Sequence, residues 1–173
     1  MAGFTSLWRL HFFNVSLLVF ILVSVAMTII GDQLPKSLYS YKRWMFRERR
    51  WEHGGRVYER LFGVKYWKSK LPDISDFMKW RFNKKHLAEL DNHYLDVFLI
   101  ESCKAEFTHW MIILSSVLSL LWDSIVSALL IFLLSVILNL PYIIIQRYNR
   151  PRLIRLLKRN HSAGNVEWSA AKV

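Results

Sequence analysis

His109, with Glu106 three residues before it, is the pairing in this sequence best suited to acid–base chemistry. At that spacing the two share a helix face, and a carboxylate can orient an imidazole that takes a proton from a hydroxyl. Ser102 lies one turn before Glu106. Further along, Asn139 and Pro141 interrupt a second apolar run. Pro141 has no amide hydrogen, so it releases a carbonyl one turn earlier and loosens the helix beside Asn139. In an antiparallel hairpin centred near residue 124, His109 and Asn139 stand at one level, each 15 residues from the centre. The same count sets Ser102 opposite Gln146 and Glu101 opposite Arg147.

This reading makes His109 the general base, Glu106 its orienter and Asn139 an oxyanion or acceptor ligand. His86 is a second base candidate outside the apolar runs. Glu101, Arg147, Asn149 and Arg150 complete the substrate-binding set, the two arginines holding an anionic donor such as the phosphates of acyl-CoA, because guanidinium groups bind phosphate bidentately. Plainer readings stand beside these. Glu101, Lys104 and Glu106 can form an interfacial charge cluster, with His109 bonded to a neighbouring helix. An arginine run just after an apolar segment commonly anchors topology. Cys103 can carry an acyl group, but a lone cysteine beside a membrane is more often inert or palmitoylated.

The elements that must position these residues follow from the apolar pattern. The 173 residues are 53% hydrophobic, yet 24 Lys and Arg face 13 Asp and Glu, a net charge of +11. Apolar and strongly basic surfaces coexist only when segregated, and such apolar content excludes disorder. A single cysteine rules out an internal disulfide framework and a Cys-rich zinc site; no metal is expected. Phe12 to Ile30 approaches the roughly 20 residues that cross hydrocarbon. Trp110 to Ile145 carries one charge, Asp123, and is long enough for two helices joined at Trp122-Asp123-Ser124. Its uninterrupted run to Trp122 is short, so the middle span must reach back to about Cys103, burying Glu106 and His109, and intramembrane ionisable groups mark candidate sites.

The expectation is therefore an all-α integral membrane protein with three transmembrane helices and an amphipathic, interfacial helical cytosolic segment. Its parts are a first span at 1–30 with the N-terminus outside, the basic aromatic-rich segment at 31–92, spans at 93–122 and 123–146, and a basic tail at 147–173. The segment at 31–92 holds 15 Lys and Arg against eight acidic residues, and the tail adds seven more basic residues against Glu167; the positive-inside rule places both in the cytoplasm. A cleaved signal peptide is the alternative for the first span, but it would export those 15 basic residues. Within 31–92, Trp44, Phe46, Trp51, Tyr58, Tyr66, Phe77 and Trp80 are interleaved with cations, and His53-Gly54-Gly55 and Leu71-Pro72-Asp73 divide it into short pieces. That mixture suits anionic membrane lipids. Nucleic acid is not an expected partner of a chain anchored by several spans. Walker, GxGxxG, HExxH and GxSxG motifs are lacking, which leaves NTPase, Rossmann and common hydrolase readings without support.

The run Asn139-x-Pro141-Tyr142-Ile143-Ile144-Ile145-Gln146-Arg147-Tyr148-Asn149-Arg150-Pro151-Arg152-Leu153 closely resembles the glycosyl-4,4'-diaponeurosporenoate acyltransferase family. So do Ile100-Glu101-Ser102-x-Lys104-Ala105-Glu106-x-x-His109-Trp110 and the pair His86-Leu87. Weaker similarity touches His53-Gly54 and Val64-x-x-Trp67-Lys68-x-Lys70-Leu71 through Asp73, so the likeness covers residues 50–158. The resemblance implies a small multi-pass protein of a bacterial cell membrane. It implies a transferase of carotenoid biosynthesis that esterifies a glycosyl carotenoid acid, a lipid-like glycosylated acceptor, with a fatty acyl chain. No cofactor is expected beyond acyl-CoA or acyl carrier protein as co-substrate. The residue roles given above come from the physical reading. A non-enzymatic membrane scaffold for lipid enzymes, or an acyltransferase acting on another glycolipid, are the competing readings.

Overall fold

The computed structural model describes residues 2–71 and 92–170, and every regular element in them is helical. Three long helices carry the fold: α1 (Ala2–Gln33), α4 (Asn92–Ser116) and α5 (Ile125–Ala170). Between α1 and α4 lie 3₁₀ turns at Lys36–Tyr39, Arg50–Gly55 and Lys68–Lys70, with the short helices α2 (Arg56–Phe62) and α3 (Val64–Trp67). A further 3₁₀ segment, Val117–Leu121, follows α4.

Among the described residues, two helices, not the expected three, are long and apolar enough to cross a membrane: Asn14–Gln33 of α1 and Ile125–His161 of α5. The expected middle span is α4, and the reason it fails is written along it. Asp96, Glu101 and Lys104 lie in its first half and Glu106 just past the middle, and its α-helical hydrogen bonding stops at Ser116. The helix that carries the third apolar stretch continues past 146. Pro141 and Pro151 are both absorbed into a single 46-residue helix, since a proline removes one hydrogen bond while the flanking turns continue to pair.

The chain divides into two compact units. The first comprises residues 1–34 and 106–143. Its core is Phe20, Ile112 and Ile131, with Leu17 and Met27 packed against them. Its polarity is inverted. Ser16, Ser116, Ser119, Ser135 and Asn139 are buried, while Leu22, Leu121, Ile125 and Ile137 are 60%, 78%, 78% and 68% exposed. Apolar surface of that extent faces a partner or lipid rather than water. Ser16 Oγ donates to Asp123 Oδ2 at 2.7 Å and accepts from Trp122 Nε1 at 3.0 Å, tying α1 to the turn between α4 and α5. Ser124 caps α5 by accepting the Ser127 amide at 3.2 Å.

The second unit comprises residues 35–105 and 144–173. Leu95, Leu99 and Leu157 form its apolar cluster, joined by Tyr41, Tyr94 and Leu153. The cause on α4 is spacing: Leu95, Leu99, Ser102 and Glu106 recur every three or four residues, and all four are fully buried. His53-Gly54-Gly55 makes the sharpest turn of the described chain, with φ of 48°, 71° and 83°. The Gly55 position is obligatory. A Cβ there would stand 2.8 Å from the carbonyl oxygen of Tyr148.

Candidate functional site

In the first unit, α4 and α5 bring His109 and Asn139 into direct contact: His109 Nδ1 lies 2.8 Å from Asn139 Oδ1. The proton on this bond can be assigned. Asn139 Nδ2 donates to the Ser135 carbonyl at 2.8 Å, which turns the amide so that its oxygen faces the imidazole. An oxygen can only accept, so Nδ1 carries the hydrogen, and in the neutral ring Nε2 keeps its lone pair. The ring is held flat by Tyr142, stacked on it at 4.8 Å between centroids and 11° between planes. Asn139 is buried and His109 half-buried. A neutral imidazole fixed in one tautomer, with Nε2 available, is what general-base catalysis requires.

Glu106, expected to orient His109, does not receive this bond. It is fully buried one turn earlier on α4. The hydrogen on His109 Nδ1 goes instead to the Asn139 amide oxygen. Cys103 is also fully buried and takes part in no disulfide.

The second unit holds the arginine motif. Arg147 Nη1 donates to Glu52 Oε1 at 3.0 Å, and Nη2 donates to the Met45 carbonyl. Glu52, 1% exposed, also accepts from the Tyr58 hydroxyl and the Arg49 amide, each at 2.7 Å. Arg150, 2% exposed, donates to the Phe46 carbonyl at 3.0 Å and to the Ser102 carbonyl and hydroxyl at 3.0 and 3.2 Å. Arg147 and Arg150 thus clasp the basic segment and α4 to α5. Ser102 receives Arg150 through both its carbonyl and its hydroxyl. Glu101 pairs with Lys104 at 3.1 Å on its own helix, while Arg147 takes Glu52.

Asn149 Oδ1 accepts from Lys68 Nζ at 3.3 Å. The Tyr148 ring carries Arg152 at 4.0 Å and Lys68 at 5.0 Å from its centroid. Glu52, Tyr58, Tyr142 and Tyr148 have functional or clamping positions that reading the sequence missed. A glutamate inside so basic a stretch was the available signal for Glu52. Residues 72–91, including His86, Leu87, Phe77, Trp80 and the Leu71-Pro72-Asp73 boundary beyond Leu71, lie outside the described residues.

Among the described residues these features define a small helical protein with two membrane-length apolar helices, a tautomer-fixed histidine and a basic segment clasped to the longest helix. The family model for glycosyl-4,4'-diaponeurosporenoate acyltransferase (CrtO) matches residues 42–159. The chain belongs to that family and is an acyltransferase. It is 30% identical over 138 residues to glycosyl-4,4'-diaponeurosporenoate acyltransferases of Staphylococcus aureus strains bovine RF122 / ET3-1, N315 and USA300, an overlap of 80% of this chain and 83% of each relative. No solved structure matches.

Proposed function

We propose that this chain esterifies a sugar hydroxyl of a glycosylated carotenoid acid with a fatty acyl chain, working at the surface of a bacterial membrane. The observation that carries the reaction is the His109–Asn139 hydrogen bond, which leaves Nε2 as the acceptor. The sugar hydroxyl gives its proton to Nε2, and its oxygen adds to the acyl carbonyl carbon. The bond from that carbon to the donor's sulfur then breaks, and the imidazolium returns the proton to the departing thiolate. Acceptor identity follows the named relatives, whose printed activity is on a glycosyl-4,4'-diaponeurosporenoate.

Embedding in the membrane is supported by the inverted polarity of the first unit, with serines and Asn139 inside and leucines and isoleucines outside. By the positive-inside rule the basic residues of the second unit face the cytoplasm. The test uses membranes from cells expressing the full chain, supplied with the glycosyl acceptor and an acyl thioester. A mass gain of one acyl group on the acceptor is expected, and it should vanish with His109→Ala. No gain with the wild-type chain would refute the reading.

A further inference from the structure

We infer that Tyr148, Lys68 and Arg152 form a phosphate-binding site in the second unit, one that holds the pantetheine-linked phosphate of the acyl donor. The inference rests on the proposed acyl transfer for the name of the ligand, while the anion site itself rests on geometry alone. Arg147 and Arg150, the cations expected to hold the donor, are joined to Glu52 and to the carbonyls of Met45, Phe46 and Ser102. Their guanidinium groups serve as clasps. The cations beside them are gathered round one ring instead.

Tyr148 is fully buried, and among the described residues its hydroxyl has no hydrogen-bond partner. Buried hydroxyls are nearly always satisfied, because desolvating one without a partner is costly. Over the same ring lie Arg152 and Lys68, 4.0 and 5.0 Å from the centroid. Both are cations on one ring, and no carboxylate among the described residues is paired with Arg152. Glu52, the buried acid of this unit, already accepts from Arg147, Tyr58 and Arg49. The wider field has the same sign: residues 35–71, 92–105 and 144–161 hold 18 Lys and Arg against five Asp and Glu.

A phosphate answers each of these conditions. Its oxygens accept the Tyr148 hydrogen, its charge separates the two cations, and guanidinium and ammonium both bind it by charge-assisted hydrogen bonds. The site is also preorganised. Arg152 follows Tyr148 by one turn of α5, Gly55 packs against the Tyr148 backbone, and Asn149 holds Lys68. A buried hydroxyl without a partner, on a ring that carries two cations, suits one compact oxyanion. An acyltransferase meets that group on its thioester donor, whether the pantetheine arm belongs to coenzyme A or to a carrier protein.

Binding to the purified full-length chain in detergent separates the possibilities, with coenzyme A and holo acyl carrier protein as probes. Tyr148→Phe keeps the ring and its stacked cations and removes only the hydroxyl. It should weaken binding several-fold, and Arg152→Gln or Lys68→Gln about tenfold each, the loss of one charge-assisted hydrogen bond. In turnover, donor KM should rise and acceptor KM should not. Weakened coenzyme A binding identifies the free donor, and weakened carrier binding identifies the carried one. Unchanged binding of both probes in all three variants, no binding by the wild-type chain, or weakened binding only to phosphatidylglycerol vesicles would each overturn the site. His109→Ala should bind the probes normally. If that protein and the wild type bind but no acceptor is ever acylated, the phosphate site stands and the reaction assigned above falls.

Discussion

Asn139→Leu isolates the bond on which the mechanism depends. The leucine keeps the side-chain volume and the helix but removes the oxygen that His109 Nδ1–H contacts at 2.8 Å and the amide that engages the Ser135 carbonyl. Losing the first bond leaves a partly buried N–H without its acceptor, a penalty of about 1–3 kcal/mol. If the ring turns or changes tautomer to recover it, Nε2 is no longer offered to the acceptor hydroxyl. At about 1.4 kcal/mol per tenfold, kcat should fall roughly 5- to 150-fold. That is smaller than the loss from His109→Ala, which removes the base and its contribution of about 10² to 10⁴. Stacking on Tyr142 explains the difference, since it still holds the ring plane in the variant. Initial rates of acceptor acylation in membranes give kcat, and ¹⁵N chemical shifts of His109 in the detergent-solubilised protein report the tautomer. Wild-type turnover in Asn139→Leu, or a wild-type signal showing hydrogen on Nε2 rather than Nδ1, would refute the assignment.

Three further outcomes follow from the packing. Gly55→Ala should destabilise the second unit by about 2–5 kcal/mol, combining left-handed strain with the clash against the Tyr148 carbonyl, and denaturant unfolding in detergent will read it. Glu52→Ala should cost about 3–5 kcal/mol, because Arg147 is left as a largely buried, unpaired charge, whereas adding Arg147→Met should recover part of that loss in a double-mutant cycle. Ser16→Ala removes the acceptor of Trp122 Nε1 and the donor to Asp123; a loss of about 1–2 kcal/mol should appear as a lower thermal midpoint and easier protease access to α1.

Much of this molecule was legible because its cues are local or strictly periodic. The runs Phe12–Ile30 and Trp110–Ile145 mark α1 and the start of α5, since apolar residues at membrane length admit little else. Counting 15 residues each way from the turn at 124 set His109 beside Asn139, because antiparallel helices joined by a short turn keep their levels matched near it. The same count lost accuracy farther out. Arg150 took Ser102, and Arg147 found Glu52 across 95 residues of sequence. Long guanidinium side chains choose among several acceptors in reach, and periodicity carries no information on which one.

Sequence alone therefore determined the segregation of apolar from basic residues, the family motifs and the residues able to act as a base. Tertiary structure decided their partners. It converted Arg147 and Arg150 from expected donor ligands into clasps, since buried guanidinium groups must satisfy their donors wherever carbonyls and a carboxylate are offered. Among the described residues it left two candidate spans in place of three, because α4 divides its length between charged residues and a short apolar run. And it gave His109 its tautomer through Asn139, a choice made by one carbonyl at Ser135 that no spacing of residues could disclose.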